Sequence, residues 1–276
     1  MINPAEFEQK LQQAITDEKI TLPTLPEVAL RIRDAVDSEN SSANEIADLV
    51  ATDAALSARL LQVANSPLYR GREPIESIQT AITRLGITLV RSLVISLAMK
   101  QIFQATSDVL DNRLRAAWQN SVQVAAISRV LSQVLPHLDP NQAMLAGLIH
   151  NIGTLPILMF SESYPELLED EGQLDQLVES LSPGISSQIL ENWNFPEPLI
   201  HVARHNQELD YDAGPSADYV DVVLVARLQT LDPELSEHEN WGDIPSFRKV
   251  GLEPEVEVIS IEGAAEEIQG VEEIFL

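Results

Sequence analysis

Cysteine is absent from the 276 residues, which removes disulfides, thiolate nucleophiles and thiolate metal sites together. Positive charge is scarce: 17 Lys and Arg stand against 43 Asp and Glu, a formal net charge of −26. No Lys or Arg falls between Arg129 and Arg204, and none follows Lys249. Affinity for nucleic acid and for anionic membranes depends on basic side chains that neutralise phosphates, so neither is an expected partner. An anionic substrate would find little fixed positive charge in that half. No apolar run is expected to reach the roughly 18 to 20 residues that span a bilayer, and MINPAEFEQKLQQ lacks the basic flank and apolar core of a signal peptide. The expected location is the cytoplasm. A phosphate-cradling glycine loop and a nucleophile-elbow serine are also missing.

What is present is enough apolar material, 45% of the chain, to bury a sizeable core in one large domain or two smaller ones. Alternating apolar and polar runs are scarce before the C-terminus, so the body reads as all-α. Leu22-Pro23-Thr24-Leu25-Pro26 predicts an extended entry into a helix carrying Val28, Ile32 and Val36. Ser42 with Glu45 forms a capping-box pattern, Asp53 is placed to cap the next helix and Ser77 another, with Gly86 as its left-handed stop. Trp118, Val122, Ala126, Val130 and Val134 form one i+4 ridge, and Asn120, Val124, Ile127, Leu131 and Leu135 a second, on a helix that Pro136 closes. Further helices are expected over 143–151, ended by Gly153, and over about 186–193, 198–205 and 220–231. In the last part, Val256, Val258 and Ile259 to Ile261 look strand-like, while Ile268, Val271, Ile274 and Phe275 could line one helical face. The stretch Ala81 to Val94 has the outline of a helix-turn-helix, but Arg84 and Arg91 are its only basic residues, so core packing is expected.

The segment Gly147-Leu148-Ile149-His150-Asn151-Ile152-Gly153 resembles the metal-binding helix of the HD phosphohydrolases with asparagine in place of aspartate. Leu22 to Pro26, Asp53-Ala-Ala-Leu-Ser-Ala-Arg-Leu-Leu, Asn65-Ser66, Ala81-Ile82 with Leu85-Gly86, and Trp193-Asn-Phe-Pro196 are similar in order and spacing to the HDOD family, the non-catalytic relatives of those enzymes. The resemblance covers about Leu22 to Leu231. It implies an all-α HDOD/HD-like bundle over 1–235, with an N-terminal helical half of about 1–105 and an HD-like half of about 106–235. Residues 236–276 form an acidic extension whose expected structure is partly β.

Active HD enzymes hold metal through an upstream histidine, a His-Asp pair and a late aspartate. Residue by residue, the resemblance puts Asn120, His150, Asn151 and Arg227 at those positions, so one ligand of four is retained. An amide is a weak, neutral ligand, and a guanidinium has no lone pair and repels a cation. Without a metal there is no activated water. The resemblance therefore implies no enzyme activity and no cofactor. It implies a bacterial signal-transduction module that binds a protein partner or a small ligand, with cyclic-dinucleotide signalling proteins among the candidate partners. The vestigial-pocket residues are Asn120, His150, Asn151, His205 and Arg227. The rival expectation is a phosphohydrolase whose metal sits on His150, His201 and His205, the last two being i and i+4 on a helix. On the plainer reading His150 is buried and satisfied by Asn120 or Asn151, His201 is partly exposed, and His205 hydrogen-bonds within the old pocket.

Overall fold

The computed structural model describes residues 3–20, 22–37, 42–69, 71, 73–103, 108–231 and 241–276. Both boundaries drawn from the sequence, near 105 and 235, lie outside the described residues.

Local signals account for the first helices. Asn3 accepts from the amides of Ala5 and Glu6 and opens α1 (Pro4–Thr16), whose Phe7, Leu11 and Ala14 are buried. α2 (Glu27–Asp37) follows the two prolines as expected. Ser42 accepts from Glu45 N at the start of α3 (Ala43–Ala51), Asp53 from Leu56 N at the start of α4 (Ala54–Ala64), and Ser77 from Thr80 N at the start of α5 (Ile78–Leu85). Gly86 ends α5 at φ 83° and ψ 154° and begins α6 (Ile87–Ile102) directly. It is thus a sharp joint between two helices, bent by 116°, and not the left-handed cap that the sequence predicts. Its positive φ is what requires glycine. Ala81, Ile82, Val90, Leu93 and Val94 around this joint are buried in the core, as packing predicts.

The second half is organised around α7 (Asp108–Ser132). Trp118, Val122, Ala126 and Val130 face the core, but Val134 lies past the helix end and is 72% exposed. The helix stops four residues before Pro136. α8 (Pro140–Ile149) packs along α7, and Gly147 makes the approach possible, because a Cβ there would sit 2.7 Å from Ala125 Cα. Gly153 does not end α8; it precedes α9 (Thr154–Ser161) with ordinary helical angles. What it supplies is room, since a Cβ would meet Ser182 O at 2.6 Å and Ser186 N at 2.7 Å. α8 and α9 together form an apolar stretch, Pro140–Ser161, long enough to cross a membrane, against the expectation from the sequence. That stretch is almost entirely buried among the other helices, so its apolar character serves the core.

α10 (Pro165–Glu169) leads into α11 (Glu171–Asn192), which runs through Pro183. This helix starts 15 residues before the Ser186 expected from the sequence. Leu174, Leu177, Leu181, Ile185 and Ile189 bury one continuous face, and that burial outweighs the lost backbone bond. α12 (Glu197–His205) and α13 (Tyr219–Leu228) complete the bundle, the latter opened by a reciprocal capping box between Asp218 and Asp221.

The C-terminal part is helical where strand was expected. α14 (Pro245–Val250), a 3-10 turn at Val258–Ser260 and α15 (Ala264–Phe275) follow one another, and no strand occurs among the described residues. Val258 is buried while Val256, Ile259 and Ile261 are exposed. The expected apolar face of α15 is real: Val271, Ile274 and Phe275 are buried against α7. One hydrophobic cluster runs from Phe7 to Phe275 and joins all these elements.

Candidate functional site

The five residues singled out from the sequence come from α7, the end of α8 and the turn after it, the end of α12 and the end of α13. His150 is the C-cap of α8 and is 2% exposed. Its Nδ1–H donates to the Gly147 carbonyl at 2.6 Å, so its partner is neither Asn120 nor Asn151. Burial holds its pKa down to about 4; the positive charge of Arg227 adds to this, and the Gly147 bond opposes it. At neutral pH the ring is therefore uncharged.

Asn120 projects from α7 and donates through Nδ2 to Thr230 Oγ1 at 3.1 Å, and Thr230 in turn donates to the Arg227 carbonyl at 2.8 Å. The Arg227 guanidinium is mostly buried and pairs with Glu179 of α11. Asn151 is half-buried in the turn between α8 and α9, where its carbonyl accepts from Thr154 N at 3.1 Å. Three of the five expected residues thus lie near one another: Asn120 and Arg227 are linked through Thr230, and the Arg227 charge acts on the His150 ring.

His205 does not join that group. Its Nδ1 meets Glu208 at 2.8 Å, and its ring packs on His201 and Tyr211. His201, 44% exposed at the side chain, pairs with Glu197 at 3.2 Å. Each histidine of the expected trio is engaged locally, and among the described residues no group of three or more His, Asp or Glu is placed to hold a metal ion.

Two members of the site escaped sequence reasoning, Glu179 and Thr230. Glu179 lies 48 residues from Arg227 and carries no local signal. Thr230 could have been found only through its position three residues after Arg227, where a hydroxyl can return to the backbone of the last helical turn. Among the described residues, five surface cavities are lined without His150, Asn151, His205 or Arg227.

A model of the HDOD domain matches residues 22–209. The chain belongs to the HDOD family. Its fold is similar to that of a Shewanella amazonensis protein provisionally called a metal-dependent phosphohydrolase, with a TM-score of 0.85 at 30% identity over 100% of both chains. It is also similar to an HDOD domain protein of unknown function from Geobacter sulfurreducens, with a TM-score of 0.72 at 26% identity, over 98% of this chain and 99% of that one. An uncharacterized protein of Treponema pallidum is 24% identical over 266 residues, which are 90% of this chain and 50% of that protein. The chain thus spans about half the length of this curated relative. Gly147 and Gly153 bracket the His150-Asn151 pair by allowing helix contacts too close for any side chain.

Proposed function

We propose that this HDOD protein is a non-enzymatic signal-transduction module of the bacterial cytoplasm that works by binding a protein partner. The observation that carries this is the state of His150: sealed, neutral, tied to Gly147 and overlooked by the Arg227 cation. A divalent ion needs several anionic or imidazole donors to replace its hydration shell. Here the amide of Asn120 is committed to Thr230 and the guanidinium of Arg227 to Glu179, so the donor set does not fit a metal. A small ligand would have to displace packed helices to reach the ring, which favours recognition at the surface.

The name of the Shewanella protein raises the phosphohydrolase alternative. That reading would need His150, His201 and His205 to converge, and the local pairings of His201 with Glu197 and His205 with Glu208 argue against it. The test is metal analysis of protein purified without chelator, combined with hydrolysis assays on nucleotides and cyclic dinucleotides. Substoichiometric metal and no turnover are expected. Stoichiometric metal with turnover abolished by His150→Ala would overturn the proposal.

A further inference from the structure

A groove of about 470 Å³ opens between α7, the end of α13 and the C-terminal segment. Its apolar surface comes from Ile127, Leu231 and Ile268 beside the polar Gln123, Gln229 and Thr230, and its rim carries Glu255, Glu257 and Glu272. No described basic residue lines the groove, and the ion pairs of the described residues include none of those three glutamates. Ile259, also in the lining, is 57% exposed. A further feature is independent of charge: the indole N–H of Trp241, which lines the same groove, is buried and has no hydrogen-bond partner. One wall is held in place, because Gln229 donates to the Val256 carbonyl at 3.2 Å and accepts from Val258 N at 3.1 Å. The groove is thus a fixed apolar trough with unpaired carboxylates at its rim and a donor lacking an acceptor.

Resting on the reading of this protein as a binding module, we propose that the groove docks a basic, apolar-faced peptide segment of a protein partner. Apolar side chains of the segment fill the trough, Lys or Arg side chains meet Glu255, Glu257 and Glu272, and a peptide carbonyl accepts from Trp241. Charge selects this occupant over the nearer ones. Residues 232–240, which in sequence join the lining residues Leu231 and Trp241, carry four carboxylates and no Lys or Arg. A second copy would bring another formal charge of −26, and nucleic acid would bring phosphates.

The test uses the full chain with a fluorescein-labelled amphipathic Lys/Leu peptide, and a Glu/Leu peptide of equal length as control. Glu255→Lys/Glu257→Lys should weaken binding about tenfold, whereas Glu166→Lys/Glu169→Lys, an identical change of net charge on exposed positions of α10, should weaken it less than about threefold. Ile259→Ser, at an exposed site that leaves the fold intact, should also weaken it. In an indole N–H spectrum the resonance lost in Trp241→Phe should be the one the peptide moves, since Trp118 and Trp193 already donate to Phe275 and Pro23. Equal weakening by the two charge variants, no binding at all, or movement of a different indole would overturn the groove as the site. Those outcomes leave the non-enzymatic reading standing, because that reading is decided by metal content and turnover.

Discussion

The indole N–H of Trp193 donates to the carbonyl of Pro23 at 3.0 Å across 170 residues of chain. The guanidinium of Arg33 caps the same corner by donating to the Trp193 carbonyl, with Asp34 as its second partner at 2.6 Å. Leu22 to Pro26 and Trp193 to Pro196, two of the segments that carry the resemblance in the sequence, are therefore two sides of one joint. Arg33 is buried, so its charge is tolerated only because these acceptors surround it.

Removing one side of this joint should destabilise without abolishing the fold. Arg33→Met leaves the Trp193 carbonyl without its charged donor, and a hydrogen bond of this kind contributes roughly 1.5 to 3 kcal/mol. The midpoint of chemical unfolding should fall in Arg33→Met with little change in the m-value, while Asp34→Ala, on the exposed side of the pair, should have a smaller effect.

The glycines should separate into two classes. Gly153→Ala places a Cβ within 2.6 Å of Ser182 O and 2.7 Å of Ser186 N, backbone that cannot give way cheaply, and should cost about 1 to 3 kcal/mol or more. Gly184→Ala meets nothing within 4 Å inside α11 and should stabilise by about 0.5 to 1 kcal/mol through helix propensity. Thermal melts of the two variants should move in opposite directions.

His150 should make stability sensitive to acid. In the folded protein the ring stays neutral down to about pH 4, whereas the unfolded chain takes up its proton near pH 6.5. Between those values the unfolded state binds more protons, so stability is lost as pH falls from about 6.5 toward 4, by up to about 3 kcal/mol. Unfolding curves at pH 7.5 and 5 should show a larger acid loss for the native protein than for His150→Asn, which cannot titrate.

Lys249 should be costly to remove. Its ammonium is nearly buried, pairing with Asp212 at 2.9 Å and with Asp221 at 3.3 Å, and the Asp221 side chain is 1% exposed. Lys249→Met leaves a buried carboxylate supported only by Ser246 and the capping box, a loss of about 3 to 5 kcal/mol. Lys249→Met/Asp221→Asn should recover much of it, and a double-mutant cycle measures the coupling.

Short-range physics made much of this protein readable in advance. The caps at Ser42, Asp53 and Ser77, the extended entry before α2, and the apolar ridges of α7 and α15 depend on neighbours within a few residues. That Asn120, His150 and Arg227 come near one another followed only from the resemblance to a known family, not from local pattern. What the sequence alone did not determine were features that depend on distant atoms. The helix expected over about 186–193 begins at Glu171, because the buried face of α11 carries it through Pro183 and Gly184. Gly153 read as a helix stop and is instead a point of close approach to α11. Val256 to Ile261 has strand-forming residues, but with no partner strand to bond it folds as a 3-10 turn pinned by Gln229. The partner of Arg227, Glu179, was likewise decided only by tertiary packing, since a spacing pattern fixes which residues share a helix face and is silent about what that face will meet.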